Sequence, residues 1–211
     1  MVQARYDAVA DFYIKGFDSI DDPASKALLD LLGPVAGLQV LDVACGHGRI
    51  TRELARRGAS VVGIDISGAL IIRARETEQE EQLGIRYLLD DVTMPGSLGE
   101  FGSDFDVAAC NFGLSDIDEL DAAITAIGHA LKPRGYFAFS IVHPCFAGAR
   151  TSRVPGQRPV ATTTRDTGRP RASVPVYVGE WAPTTGCCRP ISLRCAATAC
   201  GWTNSPSRFR S

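Results

Sequence analysis

The stretch that most narrows the architectures open to this chain runs from Val40 to Arg52, V-L-D-V-A-C-G-H-G-R-I-T-R. An apolar run (Val40, Leu41, Val43, Ala44) ends in a Gly46-x-Gly48 turn, and an amphipathic run (Ile50, Leu54, Ala55) starts immediately after it. This reads as strand, tight glycine turn and helix. A turn that presses its backbone against a ligand has no room for Cβ atoms, which accounts for the glycines, and the helix behind it offers free N–H groups to polar or anionic ligand atoms.

A second element gives the glycine pair its meaning. Ser60 to Ile66, S-V-V-G-I-D-I, reads as another buried strand whose C-terminal end carries Asp65, 17 residues beyond Gly48. In nucleotide-binding α/β sheets an acid at that place accepts hydrogen bonds from ribose hydroxyls. The two elements together point to a ligand that contains a ribose.

The remaining periodicities supply the sheet around them. Ala4 to Phe17 has apolar residues at helical spacing (Tyr6, Val9, Ala10, Tyr13, Ile14, Phe17) and reads as an amphipathic helix covering a sheet edge or forming a lid. Asp21-Asp22-Pro23 opens a second helix that Gly33-Pro34 ends. Gly37 to Val43 is the first strand. Ser67 caps a helix to about Gln82, with Leu70, Ile71 and Ala74 inward and a solvated Glu-rich face. Ile85 to Leu89, Phe105 to Cys110 and Tyr136 to Val142 are further strands, and Ile117 to Leu131 is a helix closed by the Lys132-Pro133-Arg134-Gly135 turn. Alternating strands and helices require an α/β fold of Rossmann-like type, a doubly wound, mainly parallel sheet with helices on both faces. Its ligand lies outside the C-terminal strand ends, beside Asp42, Gly46, Gly48, Asp65, Asp91, Asn111 and His143.

Composition sets the limits. With 211 residues, 45% of them apolar, the chain can bury one full core. A net charge of −2 gives no general attraction to nucleic acid or to a membrane surface, and no apolar run approaches the length of a spanning helix. The start of the chain lacks the layout of a signal peptide, so a cytoplasmic protein is expected. Cys45, Cys110 and Cys145 stand singly in apolar contexts, as small buried hydrophobes do. No metal-ligand pattern is found, and nothing specifies an oligomeric state.

V-L-D-V-A-C-G-H-G-R resembles the first motif of class I S-adenosylmethionine-dependent methyltransferases, its Asp/Glu-x-x-x-Gly-x-Gly pattern being met by Asp42, Gly46 and Gly48. V-V-G-I-D-I-S is similar to that family's ribose motif, D-D-V to its acidic motif near the adenine, F-D-V-A-A-C-N-F-G-L to its fourth-strand motif, and H-A-L-K-P-R-G-Y-F-A-F-S-I-V-H-P-C-F to the segment through its fifth strand. The resemblance covers about residues 35 to 147. It implies methyl transfer from S-adenosylmethionine to a small-molecule acceptor. Gly46 and Gly48, with Ala44, would pack against the methionine part and Asp42 would lie near its amino group. Asp65 would hold the ribose hydroxyls with Ile66 beside it, Asp91 the adenine amine with Val92, and Asn111 with Phe112 would line the methyl end. For Asp91 an ordinary loop aspartate is the other reading. His143 is the best base for a protonated acceptor, its other reading being a turn histidine before proline. His47 and His129 read as structural. A non-catalytic donor-binding remnant and an NAD enzyme are the alternatives; a dehydrogenase turn would want a third glycine where Thr51 stands.

After about Ala147 the chain changes character. Arg150 to Ser211 holds ten Arg, no Lys, and Asp166 and Glu180 as its acids. The expected organisation is therefore an N-terminal helical cap (1–34), the methyltransferase core (35–147) and an irregular tail (148–211) that is disordered or out of frame, with the last sheet strands missing. Cys187, Cys188, Cys195 and Cys200 lack paired zinc-ligand spacing, and the tail lacks the Lys and interleaved aromatics of an RNA-binding segment. A reading shifted by one base, each codon taking the third base of one residue and two of the next, turns the Cys positions into Leu, Met or Val and Trp202-Thr203 into Asp. One such back-translation of Pro183 to Phe209 gives an amphipathic helix, a glycine stop and a strand, which resembles the family's own C-terminus, so a frame change somewhere between about Ala147 and Val176 is expected.

Overall fold

The computed structural model describes residues 4–101, 104–141, 176–180 and 192–196. A short 3-10 turn precedes α1 (Ala10–Phe17) and α2 (Pro23–Leu32), and then strands and helices alternate: β1 (Gln39–Val43), α3 (Arg49–Arg56), β2 (Ser60–Asp65), α4 (Gly68–Glu81), β3 (Arg86–Leu89), β4 (Phe105–Asn111), α5 (Leu120–Ala130) and β5 (Leu131–Ser140). The sheet runs β3-β2-β1-β4-β5 in parallel, so the order reverses between β1 and β4 and leaves a crevice at their C-terminal ends.

Local chemistry explains the boundaries. Asp22 caps α2, its carboxylate accepting the Ser25 N–H with Pro23 in the first turn, and Gly33 leaves the helix at φ 66°. Ser67 caps α4 by accepting the Leu70 N–H, and the residues that α4 buries are Leu70, Ile71 and Ala74. The two sheet faces bury separate clusters. Leu28, Leu29 and Leu32 of α2 and Ile50 and Leu54 of α3 pack with Val40, Val61 and Val107, while Ala123 and Ile127 of α5 pack on the other side with Leu41, Ile64, Phe137 and Phe139. The alternation along each strand sorts its residues between the two clusters. Within the expected cap, then, α2 is a core helix rather than a cover.

Two elements differ from the sequence reading. The Lys132–Gly135 turn is present as an excursion inside β5: Phe105 pairs with Leu131 but Val107 with Tyr136, so extra β5 residues loop out where Arg134 adopts φ 73°. Beyond residue 147, where the last sheet strands are expected to be missing or disordered, the described residues comprise β6 (Val176–Glu180), antiparallel to β5, and β7 (Ser192–Ala196), antiparallel to β6. An unpaired β5 edge presents a row of free N–H and C=O groups, and a V-Y-V run with strong strand preference satisfies it. The rest of the tail, with its proposed frame change and Cys187, Cys188 and Cys200, lies outside the described residues, as does the side chain of Cys195.

Candidate functional site

Period-two alternation and parallel register bring the polar strand-end residues onto one sheet face. Asp42 of β1 is level with Gly63 of β2 and with Ala109 of β4, which is level with Ala138 of β5. Two residues further on the same face come Asp65, Asn111 and Ser140, the last two directly paired. The small residues of the first row leave room for the second.

The glycine turn is built from left-handed residues: Ala44, Gly46 and Gly48 have φ of 53°, 57° and 85°. The Gly46 N–H donates to Asp65 Oδ2 (2.7 Å) and the Ser67 N–H to Asp65 Oδ1 (2.8 Å). Burial raises the Asp65 pKa against these two bonds. Each carboxylate oxygen accepts one of these amides and retains further accepting capacity, as a vicinal diol requires. The two glycines serve different ends. A Cβ on Gly48 would stand 2.8 Å from Cζ and 2.9 Å from Cε1 of Tyr87, closer still to its Oη, so this position is kept bare by the protein's own core rather than by a ligand. A Cβ on Gly46 would meet Tyr13 Cε1 and Leu70 Cδ1 at ordinary contact distances of 3.7 and 3.8 Å.

Asp42 does not open onto the crevice. It is 1% exposed, accepts the Thr51 hydroxyl (2.6 Å), and burial pushes its pKa up to about 7. Thr51, at the third glycine position of a dinucleotide turn, is thus a partner of this acid. His47 is buried beneath Tyr13, their rings 5.8 Å apart at 80°, and burial with Arg52 nearby pushes its pKa down to about 4, so it is neutral.

The chain's first described residues lie across this turn. Tyr6 donates to Asp116 Oδ2 (2.8 Å), and Asp7 accepts the Ser67 hydroxyl (2.6 Å) and the Ala69 N–H (3.2 Å). Tyr13 contacts Tyr6 edge-on and stacks on Phe17. The segment is therefore tied to the start of α4 on one side and to the loop after β4 on the other. At the ends of β2 and β3, Ile66 and Leu89 are exposed apolar residues beside Asp65, and Val92 is buried. Asp91 Oδ1 accepts both the N–H (2.9 Å) and the hydroxyl (2.7 Å) of Thr93, an Asx-turn arrangement.

At the end of β4, Phe112 adopts φ 65° and its N–H meets both the carbonyl and the hydroxyl of Ser140, each at 3.0 Å. A Cβ on Gly113 would overlap that of Ala44, so the two central strands leave the sheet in contact. Asn111 bonds Ser140 and Ser25, and Ser25 bonds Asp22, whose second partner is Arg49. Asp22 is held below the usual carboxylate range: burial pulls it up, but the bonds from Ser25 and Arg49 prevail. Reasoning from sequence picked out Asn111 and missed Ser25, Ser140 and the role of Asp22 beyond capping; the strand register of β4 against β5 is the signal that finds Ser140. His143 lies outside the described residues. Among the described residues no cluster of His, Cys, Asp and Glu could hold a metal ion, and no helix is long and apolar enough to cross a membrane.

The model of a methyltransferase domain family matches residues 40–135. The doubly wound sheet and its glycine turn agree with that match. The chain is 34% identical over 114 residues to a ubiquinone biosynthesis O-methyltransferase of Xylella fastidiosa, covering 54% of this chain and 46% of that protein. It is 33% identical over 110 residues to a protein of the same name from Coxiella burnetii, covering 52% and 46%. A solved S-adenosylmethionine-dependent methyltransferase from Mesorhizobium loti superposes with a TM-score of 0.52 at 29% identity, covering 60% of this chain and 56% of that one. The chain spans about half the length of the curated relatives it matches.

Proposed function

We propose that this chain binds S-adenosylmethionine at the ends of β1 and β2 and moves its methyl group to an oxygen of a small-molecule acceptor. The observation that carries the reading is Asp65, fixed by the N–H groups of Gly46 and Ser67 with accepting capacity left on both oxygens. On this reading Asp65 holds the ribose hydroxyls, and Ile66, Asp91 and Val92 border the adenine. Ala44, Gly46 and Gly48 shape the methionine end, with Asp42 behind them, and Asn111 and Phe112 line the methyl end. When bound, S-adenosylmethionine supplies a methyl carbon activated by the positively charged sulfur beside it. The protein's part is alignment, and the ties of Tyr6 and Asp7 across the turn hold the segment that keeps water from the site. An oxygen acceptor gives up a proton as it takes the methyl group, and His143, just beyond β5 in the sequence, is the residue we assign to receiving it. The names of the Xylella and Coxiella relatives support an oxygen acceptor.

Calorimetric titration tests the donor site. S-adenosylhomocysteine is expected to bind and NAD not to bind, and Asp65→Ala should weaken S-adenosylhomocysteine on the order of 100-fold, as loss of charge-assisted hydrogen bonds implies. Binding of NAD in place of S-adenosylhomocysteine, or an Asp65→Ala chain that binds as well as the wild type, would overturn the reading. Radiolabelled methyl transfer to a panel of small hydroxylated molecules tests the reaction; donor binding without transfer would identify a donor-binding remnant.

A further inference from the structure

Four hydrogen bonds run in one direction from the end of β4 to the start of α2. The Phe112 N–H donates to Ser140 Oγ (3.0 Å), the Ser140 hydroxyl to Asn111 Oδ1 (2.7 Å), the Asn111 Nδ2–H to Ser25 Oγ (3.2 Å), and the Ser25 hydroxyl to Asp22 Oδ2 (2.6 Å). Ser25 and Ser140 are fully buried, so solvent water does not compete for their single protons. The direction is dictated from the Asp22 end. The Ser140 hydroxyl accepts the Phe112 N–H on one lone pair and remains able to donate to Asn111. A carboxylate can only accept, so the Ser25 hydroxyl gives its proton to Asp22 and accepts from Asn111. This turns the Asn111 carboxamide with its nitrogen toward α2 and its oxygen toward β5, where the Ser140 hydroxyl donates to it.

Asp22 is suited to anchoring such a chain. It is charged at neutral pH, its Oδ1 accepts the Ser25 N–H (2.9 Å), and Arg49, itself 7% exposed, donates Nη1 to the Oδ2 that the Ser25 hydroxyl also reaches (2.9 Å) and to the Ser19 carbonyl (2.6 Å). α2 is immobilised by Leu28, Leu29 and Leu32 in the core, which fixes the carboxylate relative to the strand ends. We propose that Asp22 is a positioning residue of the methyl-transfer cleft, fixing through Ser25 the one orientation in which Asn111 offers its remaining N–H and lone pair to ligands. This rests on the reading of the cleft as the S-adenosylmethionine site. The assignment couples a residue at the start of α2 to the end of β4 through protons alone.

The test uses the full chain with Asn111→Asp, Asp22→Asn and both together. S-adenosylhomocysteine affinity and urea unfolding are measured between pH about 6 and about 8, against the wild type over the same range. That reference removes the titration of Asp42 on the neighbouring strand; Asp22 and Arg49 are the charges the chain itself presents. Asn111→Asp sets two carboxylates against the single proton of Ser25. It should weaken S-adenosylhomocysteine on the order of 10-fold at the alkaline end and recover as the pH falls, because a protonated carboxyl restores the missing donor. Adding Asp22→Asn supplies a donor at the other end and lets the Ser25 hydroxyl turn round. The double variant should then bind within a few-fold of the Asp22→Asn chain, a coupling on the order of 10-fold. Additive losses, flat with pH, would overturn the proposal, since a merely structural role for Asp22 predicts them. Should Asp22→Asn fail to fold once Arg49 loses its counter-charge, Asn111→Asp alone decides: acid recovery supports the assignment and a pH-flat loss defeats it. A wild-type chain that binds no S-adenosylhomocysteine defeats the donor-site reading instead, and the same acid recovery or additivity in urea unfolding still decides the direction of the chain.

Discussion

The two sides of the crevice are finished in different chemistry. At the ends of β1 and β2 a side chain meets main chain: Asp65 accepts the N–H groups of Gly46 and Ser67, and the turn between is set by left-handed backbone at Ala44, Gly46 and Gly48. At the ends of β4 and β5 side chain meets side chain, from Ser140 through Asn111 and Ser25 to Asp22. A surface made of backbone presents the same N–H groups whatever the neighbouring sequence, which on the proposed reading suits the donor side. A surface made of side chains can be varied residue by residue, which on the proposed reading suits the acceptor side. Ala44 and Gly113, where the central strands touch, mark the border between the two.

The strongest way to break that division is to put a side chain where the backbone must be bare. Gly48→Ala forces a Cβ into the Tyr87 phenol and holds an L-residue at φ 85°. It should destabilise the ligand-free protein by about 3 kcal/mol, the combined effect of overpacking and left-handed strain. Gly46→Ala meets only ordinary contacts, so left-handed strain alone should destabilise the chain by about 1 kcal/mol. Urea unfolding of the two chains without ligand measures the gap. Equal losses would mean that Tyr87 moves aside and that the second glycine answers to something other than the core.

How much of this was legible in the sequence follows the same division. The glycine turn, Asp65 and the succession of β1 to β5 along the chain stood out because backbone conformation and strand burial leave local marks: a glycine at a positive φ, an acid closing an apolar run. The boundary residues Asp22 and Ser67 were equally plain, since capping acts over three residues. The network of Ser25, Asn111 and Ser140 joins residues 86 and 29 positions apart, and nothing local distinguishes those serines from surface ones. The reason for the bare Gly48 was misplaced for a related cause: Tyr87 reaches it from β3, and no spacing rule announces that. The antiparallel pairing of β6 with β5 was missed because the residues around Val176–Glu180 carry no sustained period, and the pairing is set by an edge already built rather than by the segment itself.

A milder perturbation acts on Asp42, a strand-end acid that faces the core. Its pKa of about 7 in the folded protein lies above the ordinary carboxylate range of the unfolded chain, so the folded state binds the extra proton between those values. The resulting stability is fully present below pH about 4 and is lost as the pH rises through about 7, a change on the order of a few kcal/mol. Asp42→Asn keeps an acceptor for the Thr51 hydroxyl and carries no charge, so it should flatten this slope and be more stable than the wild type at pH about 8. Urea midpoints across the range check it. A wild-type slope of the opposite sign, with no change in the variant, would mean that Asp42 is ionised in the fold.

The smallest effect isolates the underside of the glycine turn. Tyr87 is 6% exposed, and its hydroxyl is buried without a hydrogen-bond partner while its ring packs against Gly48 and Gly63. A buried hydroxyl without a partner keeps its desolvation penalty uncompensated, and burial accordingly raises its pKa. Tyr87→Phe removes that group and preserves the ring that excludes a Cβ at Gly48. It should therefore leave stability unchanged or raise it by up to about 1 kcal/mol, with S-adenosylhomocysteine affinity unaltered because the ligand side of the turn is untouched. If the variant is instead destabilised by more than about 1 kcal/mol, the hydroxyl is held by a bound water, and the turn would be polar on both of its sides rather than supported from below by packing alone.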